Sequence, residues 1–408
     1  MKKLSWLSKD LIGISFTSLF NDFNHEMTTA LLPAFIEQMI GTMHAPLALG
    51  IIMGFADACS MIMKLISGWL TNHVRYFKPI LVIGYAITPI FTSLIGTALH
   101  IWQVFLYQII AWMGRGLREP MKDVWLSQIS SPPDYGKVYG FNRGLDTLGA
   151  IAGPTLAFFT IKYCTLPYNF FIAFIPGIIS VLTLIFLTSN YKKNTAPLHP
   201  ITFNEQIAQL PFQFKYFTFV MFVFGIANFN KTLLIYRAQQ MFMGQTNISI
   251  IATGWTILLY ILFNIIRALS EFSIGYLSDY VDRRMLLGIF GFGSFIITTF
   301  TLLFAETQIF LWMIIFMSAG LCTGTVTAVE KSYAAQLLPE EMRGIGFGLL
   351  QSIDGLGDLF SSVIVGTVWT FLSPQSAFAY SLLVTIVALI LMLFVKQEPL
   401  NNPPEKIL

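Results

Sequence analysis

Gln128–Gly149, reading QISSPPDYGKVYGFNRGLDTLG, recurs without a gap 208 residues later as Gln336–Gly357, QLLPEEMRGIGFGLLQSIDGLG. Six aligned pairs are identical: Gln128/Gln336, Gly136/Gly344, Gly140/Gly348, Asp146/Asp354, Leu148/Leu356 and Gly149/Gly357. Average residue usage would give roughly one or two matches in a window this long. Trp125/Tyr333 and Tyr139/Phe347 keep aromatic character at the same offset. An offset of half the 408-residue chain describes one unit used twice. Duplicated halves are the plan of many membrane transporters, whose solute site lies between the repeats.

Composition agrees with that plan. With 55% hydrophobic residues, 11% charged, 38 Phe and a mean hydropathy of +0.69, the chain falls outside the ordinary soluble class. A net charge of +3 is too small to argue for nucleic acid. Cys59, Cys164 and Cys322 lie far apart, and the five histidines show no paired-ligand spacing, so neither a disulfide framework nor a metal site or cofactor is expected. The first apolar run outlasts a signal-peptide core and lacks a small-residue cleavage site, so it reads as a retained span.

A bilayer crossing takes about 20 mostly apolar residues. Twelve segments qualify: 11–36, 46–70, 79–99, 102–124, 138–160, 168–189, 215–237, 249–271, 285–304, 308–330, 345–369 and 375–395. The longest polar break, Asn190 to Phe214, separates spans six and seven. The expected organisation is an N-terminal bundle 1–190, a cytoplasmic linker 191–214, a C-terminal bundle 215–400 and a tail 401–408. The fold class is therefore an all-α membrane protein, with twelve transmembrane helices in two pseudo-symmetric six-helix bundles. Sixteen Lys and Arg fall on the side that holds the N-terminus, against only Lys162 and Arg237 on the other. The positive-inside rule then places both termini in the cytoplasm, in a multi-pass protein of the cytoplasmic (inner) membrane.

Ionisable groups at membrane depth are costly and mark a pathway or an internal pair. Span one carries Asp22, His25 and Glu26. At about 100° per residue, Asp22, Glu26 and Thr29 share a stripe, with His25 about 60° away. Two carboxyls one turn apart at that depth repel with little screening, which suits one of them to hold a proton. The competing readings are that Asp22 and His25 pair and brace the helices, or that the cluster contacts the solute directly. Asp57 lies on span two with Lys64 on the same face, Arg115 on span four, and Asn228, Asn230 and Lys231 at the centre of span seven. Asn264 and Arg267 lie on span eight, and Asp354 and Asp358 on span eleven. Arg118, Glu119, Lys122 and Asp123 sit nearer the cytoplasm and read as a structural salt-bridge cluster. Arg143 and Asp146, at i and i+3, are spaced to satisfy each other.

The turn after span eight, Gly275-Tyr-Leu277-Ser-Asp279-Tyr-Val-Asp282-Arg283-Arg284, resembles the signature loop of the major facilitator superfamily, G-x-L-x-D-x-x-x-R-R/K. Its counterpart after span two, Gly68-Trp-Leu70-Thr-Asn72-His-Val-Arg75-Tyr-Phe-Lys78, is similar but carries Asn72 where the family has Asp. Gly149, Gly153 and Pro154 resemble the family's glycine-proline motif on span five, without its trailing glycines. Leu49–Leu70 and Gly114–Pro120 also look like a group of bacterial permeases of unassigned substrate. The resemblance implies the family fold, and a cavity lined by spans one, four, seven and ten. Asp22, Glu26, Arg115, Asn230 and Lys231 then come first among the pathway candidates. Independently of the resemblance, arginines at a cytoplasmic turn can pair with acids at the end of a neighbouring span. Arg75 with Asp123, and Asp279 or Arg283 with the ends of spans ten and eleven, are therefore candidate locks on the cytoplasmic face. The family pattern favours that role for Asp279 and Arg283. Positive-inside anchoring is the simpler reading for Arg284 and Lys78. Close helix packing is the simpler one for Gly149 and Gly153.

The function that follows is secondary transport of a small solute by alternating access, coupled to protons, with direction open. The expected partners are the solute, protons and the bilayer, and the expected assembly is a monomer. The alternatives are an efflux permease or exchanger for a drug-like compound or metal chelate, and a transporter-like sensor. No GxxxxGK[ST] loop points to ATP use, and no acid-base or nucleophile constellation points to an enzyme.

Overall fold

A computed structural model describes residues 7–73, 76–129, 135–189, 209–246, 249–339 and 342–395. They form helices α1 (Lys9–Ile40), α2 (Ala45–His73), α3 (Lys78–Leu94, continued by a 3₁₀ turn Ile95–Thr97), α4 (Ile101–Gln128), α5 (Tyr135–Thr160) and α6 (Leu166–Leu187). After these come α7 (Phe212–Gly225), α8 (Lys231–Thr246), α9 (Ser249–Leu277), α10 (Arg283–Phe304), α11 (Ile309–Leu337), α12 (Arg343–Phe371) and α13 (Pro374–Leu393). Among the described residues, seven helices, α2, α3, α6, α9, α10, α11 and α13, are long and apolar enough to span a membrane on composition alone. The rest, notably α1, α4, α5 and α12, carry the buried charges and glycines that the site uses. Counting α7 and α8 as two halves of one crossing gives twelve.

Local sequence sets the helix ends. Ser8 caps α1 by accepting the Leu11 amide at 3.1 Å, and Asp282 caps α10 through the Arg284 amide at 2.9 Å. Gly288, Gly291 and Gly293 lie in or at the end of the π-helical stretch Leu287–Gly293, where a weakly helix-forming run lets α10 widen.

Span seven differs from expectation. A single helix over 215–237 would put Asn228, Asn230 and Lys231 at its centre. The helix instead stops at Gly225, turns through 226–230 and restarts at Lys231. Asn and Gly are poor interior helix formers, and successive i→i+3 and i→i+4 bonds onto the Phe224 carbonyl close the first half. Lys231 is thereby the first residue of a new helix. Arg237, expected at the far end of the span, lies within α8 and is 7% exposed.

By packing, one unit comprises α1–α6, α8 and α9 up to Ile261; the other comprises α7, α9 from Leu262, and α10–α13. In the first, α1 lies against α5 and α6, α2 against α4, and α3 against α4 and α6. Leu11, Ile14, Leu81, Tyr85, Met121, Trp125, Val138 and Leu184 form a common core at one end. In the second, α12 lies against α7 and α13, and α10 against α11 and α13.

The repeat is visible in the contacts inside each unit. Gly116 presses on the Ser60 carbonyl, and Gly324, 208 residues on, presses on the Arg267 carbonyl. Gly149 lies against the Leu19 carbonyl, and its partner Gly357 lies against Gly225, where an added Cβ would stand 2.9 Å from that Cα. Lys78 donates to the carbonyls of Ile185 (2.7 Å) and Thr188 (2.6 Å) at the end of α6. Arg284 donates to those of Leu393 (3.2 Å) and Val395 (2.9 Å) at the end of α13. Both cations thus cap the helix that closes their half, a role beyond orientation.

Candidate functional site: a charged seam on α1 and α4

The seam starts at Glu26, which is 3% exposed. Lys231 Nζ lies 2.9 Å from both of its carboxylate oxygens, and the Tyr260 hydroxyl donates to Oε2. The ammonium also sits 5.3 Å from the Tyr260 ring centroid. The break before α8 makes this possible, because it delivers Lys231 on a helix start. A charge pair this deep requires such full satisfaction, since desolvation otherwise outweighs its attraction.

Asp22, one turn earlier on the stripe, makes no hydrogen bond or ion pair with any described residue. Its charged surroundings are Asp146 and Glu26 on one side of the balance and Arg115 and Arg118 on the other. It is the unpaired carboxyl of the seam.

His25 does not pair with Asp22. Its Nε2 lies 2.9 Å from Arg115 Nη1, and its ring stands 4.6 Å from that of Trp112. A guanidinium only donates, so Nε2 is the acceptor and the imidazole is neutral with its proton on Nδ1. Arg115 Nε also donates to Glu119 at 2.7 Å, and Glu119 takes Lys64 at 2.7 Å on its other oxygen. Trp112 Nε1 donates to Asp57 at 2.8 Å. The sequence grouping of Glu119 with Lys122 is corrected here: Glu119 serves Arg115 and Lys64, because the i,i+4 step on α4 points it back along the same face.

Further along α4, Arg118 is 4% exposed, donates to Asn21 (2.9 Å) and Thr88 (3.0 Å), and lies 4.7 Å from the Tyr85 ring centroid. Lys122 reaches Ser18 (3.3 Å) and Asp146 (3.6 Å), and Arg143 approaches Asp146 at 3.9 Å. Asp123 lies beside these, with its carbonyl taking the Tyr139 hydroxyl at 2.9 Å.

The second unit carries fewer charges. Arg267 pairs with Glu271 at 3.1 Å, and Asn264 is 2% exposed on the same helix. Glu330, 8% exposed, has the carboxyls of Asp354 and Asp358 as neighbours. Asn228 contributes its carbonyl to the Ser361 hydroxyl at 3.1 Å, with Asn230 two residues on in the α7–α8 turn. In the signature turn, Arg283 donates to Gln336 at the end of α11 (3.1 Å) and to Asp279 (3.4 Å). Gly275 closes against Ala328, whereas Gly68 has open space around it. Arg75, and with it the expected Arg75–Asp123 lock, lies outside the described residues. Gly153, the residue before Pro154 within α5, meets the Phe23 carbonyl and the Met27 amide of α1.

Sequence reasoning missed four residues. Trp112 and Tyr260 carry no charge, so nothing in their spacing flagged them. Glu37 falls one position past the drawn end of span one. Glu330 was legible, because it stands 208 residues after Lys122 as Asp354 does after Asp146. Among the described residues, no group of three or more His, Cys, Asp or Glu is arranged to hold a metal ion.

Comparison with known proteins agrees with this architecture. The profile of the Major Facilitator Superfamily matches residues 14–235 and again 216–407. An uncharacterized MFS-type transporter of Methanocaldococcus jannaschii is 31% identical over 390 residues, 95% of each chain. Among solved structures, a mutant form of the nucleoside transporter NupG superposes with a TM-score of 0.80 at 12% identity, covering 95% of this chain and 100% of that one. A D-xylose-proton symporter gives 0.70 at 15% identity, covering 96% and 98%. At such identities these two speak for the fold alone. The chain belongs to the Major Facilitator Superfamily, a non-enzymatic multi-pass membrane transporter with the twelve-helix fold of that family.

Proposed function

We propose that this protein is a secondary active transporter that moves a small solute across the cytoplasmic membrane by alternating access, with protons as the coupling ion. The observation that carries the reading is Asp22: an unpaired carboxyl one turn from the Glu26–Lys231–Tyr260 triad. A charge pair made in one conformation and opened in another changes the field at Asp22. A group whose proton affinity follows conformation carries protons in step with the cycle. The sixteen-to-two division of basic residues supports a cytoplasmic location for both termini. The repeated contacts support 1–190 and 215–400 as the ancestral halves, joined by 191–214.

The test is transport in proteoliposomes with an imposed pH gradient, in both orientations of the protein. Nucleosides and pentoses open the solute panel, since the structural neighbours are named for nucleoside and xylose transport. Asp22→Asn is expected to abolish gradient-driven accumulation while leaving solute counterflow intact. Full accumulation in an Asp22→Asn, Glu26→Gln double variant would rule the seam out as the coupling site.

A further inference from the structure

A cavity of about 500 Å³ opens at the far end of α1, eleven residues beyond Glu26 on the same helix. Its walls come from the end of α1, the α5–α6 turn, α8 and the start of α9, all within the first unit. Glu37 lines it and is 7% exposed. Its Oε2 accepts the Gln239 amide at 2.7 Å, and its Oε1 accepts nothing.

The other two described carboxylates of this unit that are buried as deeply each have a cation: Glu26 has Lys231 and Asp146 has Lys122. Glu37 has none among the described residues. A buried carboxylate oxygen left without a partner is unfavourable, so a ligand that supplies the missing partner gains affinity from it. Two further features decide what the partner is. The last-turn carbonyls of α1 end at this cavity, where helix polarity favours positive charge. The remaining lining alternates hydroxyl and amide groups, Thr42, Thr165 and Thr253 among them, with apolar Met243, Ile250 and Leu166. A strongly hydrated metal ion would find too few oxygens fixed at short range. An alkylated ammonium would find a counter-charge for its head and apolar contact for its methyl groups.

We propose that this cavity is a binding site for a small organic ammonium ion, with Glu37 as its counter-charge. The site is separate from the Asp22–Glu26 seam and does not depend on proton coupling.

Cys164 lines the same cavity and is a free thiol, so the protein carries its own reporter. The experiment measures modification of Cys164 by a trimethylammonium-bearing methanethiosulfonate, read by peptide mass spectrometry on the wild-type protein in nanodiscs. Choline is the probe, and 3,3-dimethylbutanol is its uncharged isostere. Saturable protection by choline is expected, about tenfold at ten times its Kd by simple occupancy. The isostere should protect weakly, and Glu37→Gln should erase the difference between the two. Equal protection by both compounds, no protection by choline, or a Cys164 inert to the reagent would each overturn the proposal. Even if Glu37→Gln does not fold, the contrast between choline and its isostere on the wild-type protein decides the matter. Because no gradient or transport is involved, failure here is distinct from failure of the transport reading.

Discussion

Lys122 and Glu330 occupy the same position of the internal repeat, and each faces the repeat's aspartate. Lys122 stands 3.6 Å from Asp146, whereas Glu330, 8% exposed, has the carboxyls of Asp354 and Asp358 as its neighbours from α12. One half therefore holds a salt bridge where the other holds two carboxyls. Buried carboxyls this near one another repel with little screening, which suits one of them to keep its proton. From α12, Asp354 and Asp358 face Glu330, and Lys331 is its neighbour on α11. Arg267 and Glu271 of α9 pair with each other, Arg283 and Arg284 of α10 bond elsewhere, and α7 brings Lys215 at its first turn.

Glu330→Lys should rebuild in the second half the pair that the first half already has. The variant is expected to fold, to lose the infrared carbonyl band of a protonated carboxyl, and to keep its melting temperature in alkaline buffer. The wild-type melting temperature should fall there, because losing that proton sets buried anions against each other. An unchanged band in the variant would place the proton elsewhere.

Glu26 and Lys231 offer a measure of how strongly α8 is held to α1. Removing one partner of a buried pair costs about 3–5 kcal/mol, since the other charge is left stranded. Glu26→Gln and Lys231→Met should each lower thermal stability strongly, and the double variant should recover much of the loss. A double-mutant cycle in detergent checks this. Additive losses would mean that the two residues stabilise the unit separately, with Tyr260 as the main partner of Glu26.

Twelve crossings, the repeat and the family loop were legible because each rests on a pattern long enough to outweigh local accident. The break at 226–230 was not, since hydropathy averaged over a span is blind to where backbone hydrogen bonds stop. The site was legible by half. Asp22, Glu26, Arg115 and Lys231 stand out as charges in apolar runs, and Glu26 and Lys231 do meet. That His25 turns to Arg115, and Glu119 to Lys64, depends on side-chain direction across helices that no single-helix wheel contains. Tyr260 and Trp112 complete the seam through one polar atom each, which composition hides among 15 Tyr and 8 Trp.

At the signature turn, geometry separates two residues that the family loop treats alike. The Asp279 side chain is 69% exposed and its ion pair with Arg283 is long, so it contributes about 0–1 kcal/mol. Arg283 also reaches Gln336 across the turn, tying α10 to α11. Arg283→Ala and Gln336→Leu are therefore expected to raise thiol labelling of single cysteines placed on this face, and Asp279→Asn to change it little. Equal effects from all three would return the role to Asp279.

A backbone-on-backbone helix contact in the first unit gives the sharpest stability prediction. Gly149 and Gly153, one turn apart on α5, let that helix lie on the backbone of α1, against the Leu19 and Phe23 carbonyls. A Cβ at Gly153 would also stand 2.8 Å from the Met27 amide, a backbone atom that cannot rotate away. Gly68 has nothing within 4 Å of such a Cβ. Gly149→Val and Gly153→Val must push α1 and α5 apart, at a cost of about 1–3 kcal/mol or more for each. That separation would also move Asp22 and Glu26, which lie on the same stretch of α1. Both variants should show reduced yield of folded protein and a lowered melting temperature by fluorescence-detected size exclusion. Gly68→Ala should match the wild type, because a helix interior gains from the exchange and no neighbour is displaced. If Gly153→Val melts with the wild type, the α1–α5 contact is looser than these distances require, and the placement of the seam would have to be argued from α4 alone.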